Sequence, residues 1–216
     1  MGLFKGIFGS RDKGDSSPRS LNHPVNLQKG DIIKFGFTAQ NGISNQSFSV
    51  EDINTYDFGG ENQKKVAFTI KGVGNNFRMA VVKDTMGERL EIGRSVLPDD
   101  VKKVFHENDF VNLLDPDTGV NHVLERTGEP DFLSGWTASV YRQEAGHNAY
   151  YHAGDYRDRL LTTTEMEGSA FSYYLLVNDN REFAIEVQVF DGGRTGVYIL
   201  CFLPISKIEE MWPSGK

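Results

Sequence analysis

The sequence predicts a mainly β (α+β) protein, with antiparallel meander sheets in two β-rich lobes, each followed by a short helix. Three observations lead there. About ten short runs rich in Val, Ile and Phe recur along the chain, and Gly/Asn-containing turns separate them. Glycines number 23 against seven prolines, as many tight turns require. At 216 residues, 38% of them hydrophobic, the chain is long enough to bury a sizeable core.

In chain order, residues 9–28, "GSRDKGDSSPRSLNHPVNLQ", are polar and rich in Ser, Gly and Pro, a linker composition. Residues 1–28 therefore read as a flexible tail with a short amphipathic start, and 29–216 as the β-rich body, with 29–110 and 111–216 as candidate lobes. "DIIKFGF", "QSFSVEDINTYDF", "KKVAFTIKG", "FRMAVVK" and "ERLEIG" supply the strands of the first lobe. The segment "LPDDVKKVFHEN" supplies its helix, with Pro98 at the start and Val101, Val104 and Phe105 at helical spacing. "NHVLERTGE", "WTASVYRQEA", "FSYYLLV", "REFAIEVQVF" and "TGVYILCFL" are the strands of the second, with "NDN" and "DGGR" as hairpin loops. In "REFAIEVQVF", Phe183, Ile185, Val187 and Val189 alternate with Ala184, Glu186 and Gln188, which predicts one buried and one wet face. "PISKIEEMW" reads as a closing helix with Ile205, Ile208, Met211 and Trp212 on one side. The halves rhyme: "VLPDDVKKVF" and "FLPISKIEEMW" place Pro98 and Pro204 106 residues apart. Duplication and coincidence both account for this, since Leu-Pro before a helix is common.

The formal net charge is −7, and residues 1–20 hold four cations (Lys5, Arg11, Lys13, Arg19) against Asp12 and Asp15. That is +2 for the tail and −9 for the rest, which repels nucleic-acid phosphates. No basic patch overrides it, so nucleic acid is not an expected partner. A single cysteine, Cys201, rules out an intrachain disulfide and multi-cysteine zinc sites. In the apolar run "VYILCFL" it is expected to be a buried, inert thiol. No stretch of 18 apolar residues occurs, and "MGLFKGIF" is too short for a secretory signal, so the cytoplasm is the expected compartment.

"LLDPDTGVNHVLER" gathers Asp115, Asp117, Asn121, His122 and Glu125 within eleven residues. A calcium loop starting at Asp115 needs an oxygen ligand at its fifth position, Gly at its sixth and Glu at its twelfth. Gly119, Val120 and a Glu125 one place early break that register. "DPDTG" is instead what a turn requires. No metal and no cofactor are expected.

"HNAYYHAGDYRDR" is the place where an active site would be sought. His147, His152, Asp155 and Asp158 are the candidate catalytic residues, with His152 paired to Asp155 or Asp158 as base and orienter. The histidines are five apart, not the four of a helical zinc pair. The competing interpretation is a polar, aromatic-rich segment crossing the sheet. No Gly-x-Ser-x-Gly elbow, phosphate loop or dinucleotide fingerprint is present. Glu165 and Glu167 read as solvated carboxylates of a loop.

"SYYLLVNDNREFAIEVQVFDGGRTGVYI", preceded by "YYHAGDYRDRL", resembles the C-terminal part of the uncharacterised bacterial YjfK-like family, and so does the "GLF…FG" start. The likeness covers residues 120–203 and the first nine. It implies a cytoplasmic bacterial protein in the company of membrane-associated, phage-shock-type stress proteins, and it supplies no site residues. Two functions from different classes follow. The first is a non-catalytic interaction or accessory module with a protein partner, serving a membrane-associated stress assembly. The alternative is a hydrolase or transferase with a polar site at 147–158. Leu3, Phe4, Ile7 and Phe8 share one side of a helical wheel, so residues 1–8 could make weak peripheral contact with the inner membrane. Gly2, Gly6 and Gly9 oppose a stable helix there, and Gly6 stands where myristoylation asks for Ser or Thr.

Overall fold

A computed structural model describes residues 19–59, 63–114, 121–159 and 168–214. The chain is mainly β, and its strands join one antiparallel sheet. The strands are β1 (Ile32–Phe35), β2 (Ser47–Asp57), β3 (Lys64–Lys71), β4 (Asn76–Asp84), β5 (Gly87–Val96), β6 (Val123–Glu125), β7 (Val140–His152), β8 (Ser169–Val177), β9 (Phe183–Phe190), β10 (Thr195–Pro204) and β11 (Ile208–Trp212). Two short helices, α1 (Pro98–Val104) and α2 (Glu107–Leu113), lie between β5 and β6.

The strand order is β11-β1-β2-β3-β4-β5-β10-β9-β8-β7-β6, with a further pairing of β2 to β7. That last pairing, Thr55–Asp57 against His152–Tyr150, closes strands β2 to β5 and β10 to β7 into an eight-stranded antiparallel ring. β1 and β6 flank the start of the two long strands, whose ends meet at the seam. Each long strand carries a register shift before it reaches the seam, between Val50 and Asp52 in β2 and between Gln143 and Ala145 in β7. A bulge adds twist, which turns each strand away from its short neighbour and towards the other.

Period-2 alternation gives the ring two different faces. Outward lie Phe68, Ile70, Met79, Ile92, Ile185, Val187, Ile199 and Cys201, all at most 1% exposed. They join one large apolar cluster with Val101, Val104 and Phe110 of the helices, Ile33 and Phe35 of β1, and Leu133 and Trp136. Trp136 stacks on Phe77 with ring centroids 5.2 Å apart. The main core therefore lies around the ring. Inward lie small residues (Ala67, Ala80, Gly93, Ala149, Ala184) together with charged and tyrosine side chains.

Several expectations are corrected. Strands of both halves share one sheet. The single helix of 98–108 is two, because Phe105 adopts an extended backbone and bridges Arg126. "PISKIEEMW" is a 3-10 turn, Ile205–Lys207, followed by β11, which pairs with β1 (Ile33 with Met211). β-Sheet pairing overrides the helical spacing there. The tail ends earlier than residue 28: Leu27 is fully buried and Arg19 bonds the buried Asp31. Ala184, Glu186 and Gln188, expected to be wet, are at most 3% exposed, because closure of the ring puts them inside. Residues 1–18, Asp115, Asp117, Glu165 and Glu167 lie outside the described residues.

Candidate functional site

The inward face is built from strands that each contribute one charged residue in register with small neighbours. β3 gives Lys65, β4 Arg78, β5 Glu91 and β9 Glu186. Lys65 Nζ donates to Glu91 Oε1 at 2.9 Å and to Glu186 Oε2 at 3.0 Å. Arg78 Nη1 donates to Glu186 Oε1 at 2.6 Å, and its Nη2 lies 3.6 Å from Glu91 Oε1. Gln188 Nε2 donates to Glu186 Oε1 at 2.6 Å. Lys65 and Glu186 sit on opposite sides of the ring, so this contact crosses the lumen and proves which face is inside.

Burial alone would neutralise these groups. For Glu186, burial works to raise the pKa, but the charges of Arg78 and Lys65 overcome it and hold the carboxyl at about 2. Burial likewise opposes the charge on Lys65 and Arg78, and the carboxylates overcome it, raising both. Tyr173, beside Lys65, is pushed up by burial.

Above this network the ring holds a cavity of about 440 Å³. It opens beside the β3–β4 and β9–β10 turns; Val177, Ala184 and Leu200 pack further along the lumen. Tyr56, Tyr151, Tyr198 and Phe190 line its walls, and Asn54, Thr69, Asn76, Ser95, Gln188 and Thr195 supply amides and hydroxyls. Gly93 and Gly196 leave it room. Its charged lining residues are both cations, Arg78 and Arg194. The Arg78 guanidinium lies 4.1 Å from the Tyr198 ring centroid and 5.2 Å from that of Tyr56. Arg194 sits over Phe190 at 4.2 Å. Burial raises the pKa of Tyr151 and of Tyr198.

The four candidate catalytic residues are not brought together. His147 and His152 are both on β7, and a separation of five puts them on opposite faces of a strand. His147 is exposed, 5.3 Å from the Tyr173 ring. His152 is 1% exposed, opposite Thr55 on the outer face and 5.6 Å from the Tyr156 ring. Asp155 is taken by Arg157 Nε at 2.8 Å, and Arg157 Nη2 bonds the Leu27 carbonyl oxygen at 2.8 Å. That pair clamps the turn at Pro24–Asn26 onto the body. Asp158 is exposed. Of the "LLDPDTGVNHVLER" residues, Glu125 is exposed on β6 and His122 bonds Gln143 through its backbone N–H. Among the described residues no group of three or more His, Cys, Asp or Glu could hold a metal. Cys201 is fully buried, and burial pushes its thiol up. Among the described residues no helix is long and apolar enough to cross a membrane.

Sequence reasoning missed Lys65, Arg78, Glu91 and Glu186. Their signal was a charged residue inside a β-run, in phase with Ala or Gly on the same face, in four separate runs. An open sheet would place such a face in water.

The fold and site together define a closed antiparallel barrel with a polar, charge-paired lumen. No family model, curated protein or solved structure matches the chain.

Proposed function

We propose that this chain is a non-catalytic accessory module whose barrel holds a small polar molecule at its open mouth. One observation carries the reading: under the cavity Lys65 and Arg78 are locked onto Glu186 at 3.0 Å and 2.6 Å in a buried network that leaves no free acid or base among these three. Glu186 is pulled down to about 2, while Lys65, Arg78, Tyr151, Tyr173 and Tyr198 are pushed up. A general acid or base works best with a pKa near the operating pH. Aromatic walls with fixed donors suit binding instead. The alternative, a hydrolase or transferase acting through His147, His152, Asp155 and Asp158, draws no support from their dispersed positions.

A protein partner belongs to the same reading. Among the described residues β11 pairs only with β1, which leaves its other ladder edge without a strand there, and the cross-strand pair Ile32 and Trp212 is 42% and 41% exposed. An extended segment of another protein could add there as a strand. The resemblance to YjfK-like proteins favours a cytoplasmic, membrane-associated stress assembly as the setting.

The test is a thermal-shift screen of small metabolites on the full chain and on Ser95→Trp, which fills the mouth from an exposed position. Compounds that raise the Tm of the parent but not of the variant support the reading. Identical responses across the screen would sink it.

A further inference from the structure

We propose that the cavity selects a small aromatic monocarboxylate; this rests on the ligand-binding reading above and names the ligand class. Charge comes first. The chain carries a net −7, yet the charged side chains lining the cavity are two arginines. Lys65, Arg78, Glu91 and Glu186 pair off two against two, so Arg194 at the rim leaves one positive charge unmatched. One negative charge completes the site. A dianion such as phosphate would meet the repulsion of Glu186 and Glu91, which lie 2.6 Å and 3.6 Å from Arg78 on the side away from the mouth.

Position comes second. Arg78 lines the cavity, with its Nη1 on Glu186 at 2.6 Å and its Nη2 3.6 Å from Glu91, so a ligand meets its charge and guanidinium surface rather than a free N–H. A carboxylate is the small anion that an arginine pair such as Arg78 and Arg194 favours. Tyr198 and Tyr56 fix the plane of this guanidinium, so its position is set before a ligand arrives.

The shape of the cavity agrees. Tyr56, Tyr151 and Tyr198 line the cavity beside Arg78, and a flat ring packs against aromatic walls better than an aliphatic chain does. At about 440 Å³ the cavity is at the small end of ligand pockets, the scale of a one- or two-ring molecule.

Isothermal titration of the full chain with 1-naphthoate, naphthalene-1-carboxamide, cyclohexanecarboxylate and inorganic phosphate tests this. We expect 1-naphthoate to bind at least about tenfold more tightly than each of the others, a margin of about 1.4 kcal/mol. Arg78→Met endangers folding by stranding Glu186, so the exposed Arg194→Gln is the diagnostic variant. It should cut the acid's affinity about tenfold and leave the amide's unchanged. Equal binding of acid and amide, preference for phosphate, or an unaltered Arg194→Gln variant each overturns the monocarboxylate. If no probe binds while Ser95→Trp still abolishes Tm shifts by other compounds, the ligand class falls and the barrel reading stands. If those shifts are also absent, both fall.

Discussion

Lys65 on β3 and Glu186 on β9 are 121 residues apart in the chain and meet at 3.0 Å inside the ring. Glu186 also takes Arg78, so this one carboxylate bridges two buried cations from the other half of the molecule, and Glu91 supplies the second negative charge. Glu186→Gln leaves Glu91 to serve both. Removing one partner of a buried pair costs about 3–5 kcal/mol. Urea unfolding should show a loss of that size; less than about 1 kcal/mol would mean that water already screens the network.

Acid should act through the same carboxylate. Its pKa is about 2 in the folded chain against an ordinary 4.5. A depressed pKa contributes stability that is present above the unfolded value and lost as pH falls through the folded one. The Tm should therefore decline from about pH 4.5 towards pH 2, and Glu186→Gln should flatten part of that slope. An unchanged slope in the variant would assign acid unfolding to other carboxyls, such as Asp31, Asp84 and Asp155, which are also held low against the effect of burial by their hydrogen bonds.

The outer face gives a packing prediction. Ile199 is 1% exposed, pairs with Ile185 and Arg94, and belongs to the main core. Ile199→Ala should cost about 2–5 kcal/mol by equilibrium unfolding. A loss under about 1 kcal/mol would mean the site collapses around the missing atoms, against the close packing described here.

Much of the strand content was legible because β-rich runs and Gly/Asn turns are local signals. The adjacency of "REFAIEVQVF" and "TGVYILCFL" follows from the four-residue "DGGR" between them, and β9 pairs β10 as that implies. Ring closure was not legible, because β5–β10 and β2–β7 join residues about a hundred positions apart and no local pattern encodes them. Glu186 was misassigned for that reason alone: its period-2 position was right, but what lay opposite was Lys65 rather than water. At the C-terminus, Ile205, Ile208, Met211 and Trp212 satisfied a helical wheel, yet β1 had an unpaired edge to fill.

The tail boundary can be tested by truncation. Deleting residues 1–18 should leave the Tm unchanged, whereas deleting 1–20 removes Arg19 from Asp31 and should lower it. If residues 1–8 touch a membrane, the full chain should pellet with anionic vesicles more than the shorter truncation does. Equal pelleting would remove the membrane contact from the account.

Calcium provides a check on the turn at Asp115. Titration to micromolar calcium should leave the Tm unchanged, since a ligand bound only by the folded chain would raise it. A rise of several degrees would restore a metal loop.

The seam has a consequence for synthesis. The first five strands leave the ribosome before any of the last five exist, so β5 waits without β10, and β2 meets β7 only later. During that interval Lys65 and Arg78 have Glu91 but no Glu186, and two strand edges stand open to whatever is nearby. A nascent chain stalled near residue 114 is therefore the form of this protein most exposed to misassociation. The order of translation, rather than the finished barrel, sets its greatest need for a chaperone.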